Sequence, residues 1–421
     1  MKAGAASVPV PLEAKAEAPL RASAVAIEAG ERLCIVATDT LTIPSDVLQA
    51  AAERIVVETG ILSENLLICA THTHHAPCTI DIFGCVRDAG FCAGLGDAIV
   101  EAAVQACRAL DEPEAEAEFC FCESQEATVG QNSRYLLRDG TIAWYSYRWE
   151  DVVRPTGPFD PDLPVLALKR PSGEMVATLF NHTVHNIGSL TQGAISPGFS
   201  GLAAQELERR HGGVAVFLPG AFGSTHNTSP FGTRERDLGV STEECVHRIV
   251  GAVEQGLGRA EPVSTPSLAV LKRPFTYRLR SFDEEKEEAA VRYWAYTYEP
   301  ESNMPGIFRD MRAAMAPVQG QERQTWLQLI RLGDVALVGV PGEIFAALGM
   351  EIRRRSPFRN TYVVGLANDT LGYIGDRDSY ELGGYQLWAG GHSVSEPGTG
   401  ETLVEEALGM LRELHDDAGA R

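Results

Sequence analysis

Five apolar residues, Leu66–Ala70, run directly into Thr71, His72, Thr73, His74 and His75. An uninterrupted apolar run of strand length has to be buried on both faces, which only a layered sheet accommodates. The polar residues that follow then lie beyond the strand's carboxyl end, where α/β folds collect their ligands. A second run, residues 175–180, leads into Asn181, His182, Thr183, Val184 and His185. Two buried strands with histidine-rich exits restrict the chain to α/β layering and to a small set of chemistries.

The remaining pattern agrees with that class. Residues 25–27 and 33–36 read as a hairpin around Gly30, and Ser45 as the cap of a helix that Gly60 stops. Residues 97–110 have helical periodicity. Residues 119–129 and 142–149 read as strands turning at Asp139-Gly140, and residues 163–168 pair with 175–180 around Ser172. A helix over 201–210, a strand over 214–218 and a helix over 241–257 follow. Residues 283–316 show helical spacing split by Pro300 and Pro305, suited to a lid, a subunit contact or a solvated helical pair. A hairpin over 327–340, a helix over 343–354, a strand over 362–366 and a helix over 401–414 complete the chain. Hairpins among alternating strands and helices predict an α/β fold with mixed sheets layered with helices. Residues 1–19, rich in Ala, Pro and Glu, are expected to be poorly ordered, and 20–421 to form a single domain.

Composition removes several functions. Lys and Arg total 36 against 57 Asp and Glu, a net charge of -21 over 421 residues. Such a surface repels phosphate backbones and anionic lipid, so neither nucleic acid nor a membrane surface is an expected partner. No run of about 18 apolar residues is present, so no membrane span is expected. A small-molecule substrate is the expected partner, and a homo-oligomer is compatible with the sequence. The nine cysteines are an odd number without a C-x-x-C pair, and no apolar stretch follows the first Lys. Free thiols and the absence of a secretory signal predict a cytoplasmic protein.

The two histidine clusters hold five of the ten histidines. Neutral imidazole is the commonest metal ligand, and extended backbone would place His72 and His74 on one face, so a shared metal site is predicted. Glu343, after Pro341-Gly342, is read either as complementing a helix dipole or as a carboxylate ligand. No P-loop, H-E-x-x-H helix or strand-borne G-x-G-x-x-G is present. Around Ser200 the second glycine follows immediately, so the nucleophile-elbow spacing fails.

Taken in order, residues 70–77, 181–185, 218–227, 341–343, 365–374 and 378–385 resemble the catalytic domain of the neutral, non-lysosomal ceramidase family. The resemblance implies that fold without the family's C-terminal β-sandwich domain. It implies one zinc ion held by His72, His185, Glu343 and Tyr373, with His74 beside the metal facing substrate. Arg134 matches a substrate-binding arginine of the family, although Ser133 intervenes after Asn132. Where ceramidases carry Gly-Asp-x-Ser-Pro, this chain has Gly223, Ser224, Thr225, His226 and Asn227. Ser224 is thus expected at a substrate-binding position and His226 where the family's serine stands.

The expectation is a zinc-dependent hydrolase that cleaves an amide, lactone or ester of a small soluble substrate by activated water. His74, His226 and Tyr373 are its expected catalytic groups. The alternatives are a metal-dependent lyase or isomerase and a non-catalytic binding relative. Trp144, Trp149, Trp294, Tyr296, Trp326 and Trp388 are available for a pocket wall.

Overall fold

The computed structural model describes residues 1–227, 240–263 and 267–419. The chain begins β1 (Lys2–Pro9), β2 (Arg21–Ala29), β3 (Glu31–Thr38), α1 (Ser45–Thr59), β4 (Leu66–Ala70) and α2 (Ala89–Arg108). It continues through β5 (Glu118–Gln125), β6 (Gly130–Asn132), β7 (Tyr135–Leu137), β8 (Val152–Pro155), β9 (Asp162–Lys169) and β10 (Met175–His182). Next come α3 (Gly198–His211), β11 (Val214–Pro219), β12 (Thr225–Asn227), α4 (Thr242–Arg259) and β13 (Glu261–Pro262). The C-terminal part comprises β14 (Leu268–Arg278), α5 (Glu284–Tyr298), α6 (Met304–Met315), β15 (Glu322–Leu332), β16 (Val335–Gly339) and β17 (Glu343–Ile344). It closes with α7 (Ala346–Arg355), β18 (Asn360–Val364), β19 (Tyr373–Ile374), α8 (Arg377–Leu382) and α9 (Thr399–Gly419).

Three mixed sheets carry the fold, in the orders β1-β2-β3-β4, β11-β10-β9-β5-β13 and β14-β15-β16-β18. Each is antiparallel except at one pair: β3 with β4, β10 with β11, and β16 with β18 run parallel. The inner faces meet in one apolar core that joins Val25, Ile35 and Leu67 to Leu168, Leu179 and Val216 and to Ile330, Leu337 and Val364. Helices back each sheet: α1 and α2 on the first, α3 and α4 on the second, α7 and α9 on the third. Among the described residues, one helical stretch, Ala89–Asp111, is long and apolar enough to cross a membrane. Its apolar residues, Leu95, Ile99 and Ala103 among them, are spent on the first sheet.

The mixed layering agrees with the sequence reading, and four local expectations are corrected. Lys2–Pro9, expected to be poorly ordered, pairs with β2 along its whole length and buries Ala3 and Ala6. Pro44, not Ser45, occupies the helix cap position, and the Ser45 hydroxyl donates to Asp369. Residues 142–149 form no strand; β7 turns back to β8, with only an isolated bridge at Ile142. Glu343 does not open a helix: it lies on β17, and α7 starts at Ala346.

Candidate metal centre

Three sheets deliver the site. His72 follows the exit of β4, His185 that of β10, Glu343 that of β16, and Tyr373 a longer loop after β18. These are carboxyl ends of parallel neighbours, so their loops converge on one side of the core. The loop after β18 is tied to β4, since Asn368 accepts from Ile68 N–H through its side chain and donates its own N–H to the Ile68 carbonyl.

His72 does not continue the strand. Its φ of 59° is left-handed, so His72 and His74 converge through a turn rather than by alternation, and the expected extended backbone is corrected. Their rings stand 4.8 Å apart and nearly perpendicular. Glu343 and Tyr373 face each other in the parallel pairing of β17 with β19. Gly223 is required behind them, because a Cβ there would lie 2.0 Å from the Glu343 carbonyl oxygen.

Hydrogen bonds set the tautomers. His72 Nδ1 donates to the Leu41 carbonyl at 2.8 Å, and His185 Nδ1 to the Thr225 carbonyl at 2.6 Å. With the protons on Nδ1, both Nε2 lone pairs face the centre. Each Nε2 lies 3.3 Å from Glu343 Oε2, and Tyr373 Oη is 3.3 Å from His185 Nε2. His72 Nε2 and Glu343 Oε2 are buried without a hydrogen-bond partner among the described residues. Neutral imidazole nitrogens and a carboxylate oxygen, all acceptors, are therefore held together in a dry place, which a cation satisfies. Tetrahedral zinc with bonds of about 2.0–2.2 Å has ligand-to-ligand edges of about 3.3–3.6 Å, so the spacing fits. Ligand atoms of His72, His74 and His185 also lie within 4.8 Å of one another.

The electrostatics agree with this geometry. Burial alone would raise the Glu343 pKa, but positive charge on the His72 and His185 side outweighs it and holds the carboxylate well below its usual range, and a cation between neutral imidazoles would act in the same direction. Burial, and then the Glu343 charge, push the Tyr373 phenol well above its ordinary value. A divalent cation between them would reverse that sign. Burial lowers His185 and takes His226 down to about 3. His74 is exposed, yet desolvation in its recessed position and the neighbouring imidazoles push its pKa well below the ordinary histidine range. It is the open side of the cluster.

The other predicted residues divide. His226, on β12, is buried and stacks on His185 at 4.9 Å with an interplanar angle of 3°. Arg134 and Ser224, expected at substrate-binding positions, both make internal hydrogen bonds. The Arg134 guanidinium is buried, lies over the Phe345 ring and donates to Gln386 Oε1 and to the Ser379 and Gly383 carbonyls. Ser224 Oγ accepts the Ala346 N–H at the start of α7. His75 accepts from Gly188 N–H, while His182 is buried against Phe159.

Phe222, Tyr385 and His392 were given no role from the sequence. Phe222 packs against both imidazoles, 4.8 Å from His72 and 4.9 Å from His185. Tyr385 lies edge-on to Tyr373 with ring centroids 6.0 Å apart and stacks on Trp144 at 4.6 Å. His392 donates to the Tyr385 carbonyl, and its own carbonyl accepts the Tyr373 N–H. An aromatic residue among apolar neighbours and an isolated histidine carry no sequence signal of their own. The α5–α6 pair is more than a solvated arm, because Trp294 and Phe308 pack with Trp144 and Trp388 beside Tyr385. Trp149, Trp326 and Tyr296 are exposed.

No protein-family model matches the sequence, and no curated protein does. Among solved structures, the chain is similar to neutral ceramidase from Pseudomonas aeruginosa, with a TM-score of 0.73 and 19% identity over 99% of this chain and 74% of that one. A ceramidase complexed with C2 matches with the same TM-score and identity, over 99% of this chain and 75% of that one. The fold is therefore neutral-ceramidase-like, at low sequence identity.

Proposed function

We propose that the chain is a zinc-dependent hydrolase that cleaves an amide bond, or a related lactone or ester, in a small soluble substrate. The observation that carries the reading is the unpartnered buried pair His72 Nε2 and Glu343 Oε2, faced by His185 Nε2 with the Tyr373 hydroxyl beside it. The likeness to ceramidase structures supports amide chemistry.

His72, His185, Glu343 and Tyr373 would hold the ion. When bound, zinc supplies a lowered pKa for coordinated water and polarisation of a carbonyl. The side chains do the rest. The carbonyls of Leu41 and Thr225 fix the two imidazoles so that little reorganisation is needed. The Tyr373 hydroxyl is aimed at the same point and would complete the set that holds the ion. His74, neutral and exposed, takes a proton from the attacking water and returns it to the leaving amine or alcohol. His226, buried behind His185, packs that ligand instead of reaching the leaving group. Ser224 Oγ is committed to Ala346 N–H and Ser200 is fully buried, so water attacks directly and no acyl-enzyme forms.

The test is metal quantification on the purified chain with turnover on a panel of N-acyl amides and lactones, His185→Ala as the control. About one zinc per chain, lost in the variant, and oxygen-18 from water appearing in the acid product are expected. Intact folding without metal would favour a binding relative. Turnover without water incorporation would favour a lyase or isomerase. An acyl adduct trapped on Ser224 or Ser200 would end the direct-water step.

A further inference from the structure

Asn186 follows His185 directly and is fully buried. Its side chain ties its own loop to two others. Nδ2 donates to the Thr71 carbonyl at 3.3 Å and to the Pro197 carbonyl at 2.9 Å, and Oδ1 accepts the Ser200 N–H at 3.0 Å. The Asn186 backbone carbonyl accepts the His74 N–H at 3.4 Å. Thr71 and His74 bracket the left-handed turn at His72, so one residue grips that turn at both ends. The same turn is held from α3, where Thr73 Oγ1 donates to the Ser196 carbonyl at 2.8 Å and Ser196 N–H to the His75 carbonyl at 3.1 Å. α3 has no side-chain cap of its own at Pro197, and Asn186 supplies one from another loop.

These partners select an asparagine. Two carbonyls require donors and one N–H requires an acceptor, which fixes the orientation of the amide. Aspartate would set a charge against both carbonyls, and alanine would strand three buried backbone groups. Gly198 is matched to the amide: its φ is 72°, and a Cβ there would lie 2.2 Å from Asn186 Oδ1. We propose that Asn186 is a positioning residue of the centre, which sets where the imidazoles of His72 and His74 stand relative to His185. It acts through the backbone of the turn at residues 71–74. Its effect on metal binding rests on the zinc reading of the site, whereas the placing of the two rings does not.

The test uses the full chain after chelator treatment, reading first the histidine ring protons by NMR, assigned with His72→Gln and His74→Gln, and then cobalt(II) binding by its visible absorption. In Asn186→Ala the His72 and His74 signals are expected to move, while those of the exposed His211 and His415 stay in place. Cobalt affinity is expected to fall about 10–100-fold, the usual cost of losing a group that orients a ligand. Gly198→Ala leaves Asn186 present and crowds it, so it is expected to reproduce both changes. In the Asn186→Ala background, where that clash is gone, it is expected to add little. Gly256→Ala on α4, where a Cβ would lie 2.6 Å from Val165, supplies a chain destabilised elsewhere. If Asn186→Ala and Gly198→Ala lose stability as Gly256→Ala does but keep the parent ring signals, the proposal is overturned. It is overturned too if neither variant folds, since Asn186 would then serve the fold and not the centre. A parent chain that binds no cobalt would end the zinc reading, and the ring signals would still decide the role of Asn186.

Discussion

Glu343 shows how much one position rests on its neighbours. Its carboxylate is aimed by β17, and β17 is seated only because Gly223 has no Cβ to meet the Glu343 carbonyl. Gly223→Ala is therefore expected to cost about 1–3 kcal/mol of stability by overpacking and, on the proposed metal site, to weaken zinc affinity about 10–100-fold by moving the proposed ligand Glu343. Denaturant midpoints and chelator competition measure the two effects. Gly251 on α4, where a Cβ meets nothing within 4 Å, is the control, and alanine there should be neutral or gain about 1 kcal/mol. Equal losses in both variants would mean that the close approach is not what matters. Glu343→Gln keeps the shape and removes the charge, so its zinc affinity should fall at least about 100-fold with the fold retained. The histidines of the site were legible because imidazoles clustered after apolar runs have few other uses. Glu343 was ambiguous, since a carboxylate after Pro341-Gly342 looks the same whether it caps a helix or ends a strand. The left-handed φ of His72 was not legible at all, because it is imposed by the Leu41 carbonyl and by the other sheets.

At the level of elements, the exit of β4 depends on a buried carboxylate just beyond β3. Asp39 Oδ1 accepts from Thr71 Oγ1 at 3.1 Å and Oδ2 from Arg21 N–H at 3.0 Å, so one side chain joins β2, β3 and the residue before His72. Burial raises its pKa from 3.8 to about 6, against the lowering effect of Arg21. A carboxyl raised in the folded state binds its proton more tightly there than when unfolded. Its contribution to stability is complete below pH 3.8 and is lost as the pH rises through 6. Asp39→Asn cannot ionise, so its stability relative to the parent chain should rise by about 2–3 kcal/mol between pH 4 and pH 7. Chemical denaturation at a series of pH values gives that difference directly, and a flat difference would show that Asp39 keeps its ordinary pKa. Element prediction succeeded where one period dominated, as in Leu66–Ala70, whose bounds match. It shortened α2, which begins at Ala89 and not at residue 97, because Gly90, Gly94 and Gly96 look like breakers while serving close packing, as Gly94 does against Pro11. Residues 142–149 look like a strand because of their aromatic residues, which fill the clusters around Trp144 and Tyr135 rather than a sheet.

For the molecule as a whole, the least legible feature was its N-terminal edge, where composition pointed the wrong way. Residues 1–19 carry few large apolar side chains, Met1, Val8, Val10 and Leu12, which ordinarily means too little burial to offset the entropy of ordering. Here small residues are what the packing demands. A Cβ at Gly4 would lie 2.3 Å from the Ala106 carbonyl oxygen, so α2 crosses β1 at a distance that only glycine and alanine permit. Eight registered pairs, from Lys2 with Glu28 to Pro9 with Arg21, then close the edge of the first sheet, and Ala3, Ala6 and Val10 are buried. Removing residues 1–10 would bare the face of α2 and leave β2 as an unpaired, apolar edge, a template for pairing with another chain. The truncated chain should lose about 3–5 kcal/mol of stability and self-associate as its concentration rises, whereas Gly4→Val should lose a similar amount through the clash alone. Thermal unfolding and light scattering on the two variants separate these causes, because only the truncation exposes the edge. Since β4, which delivers His72, is the opposite edge of the same sheet, both variants should also release zinc more readily than the parent chain. A truncated protein with unchanged melting and unchanged metal retention would show that β1 is an ornament on the sheet and not part of what holds the site.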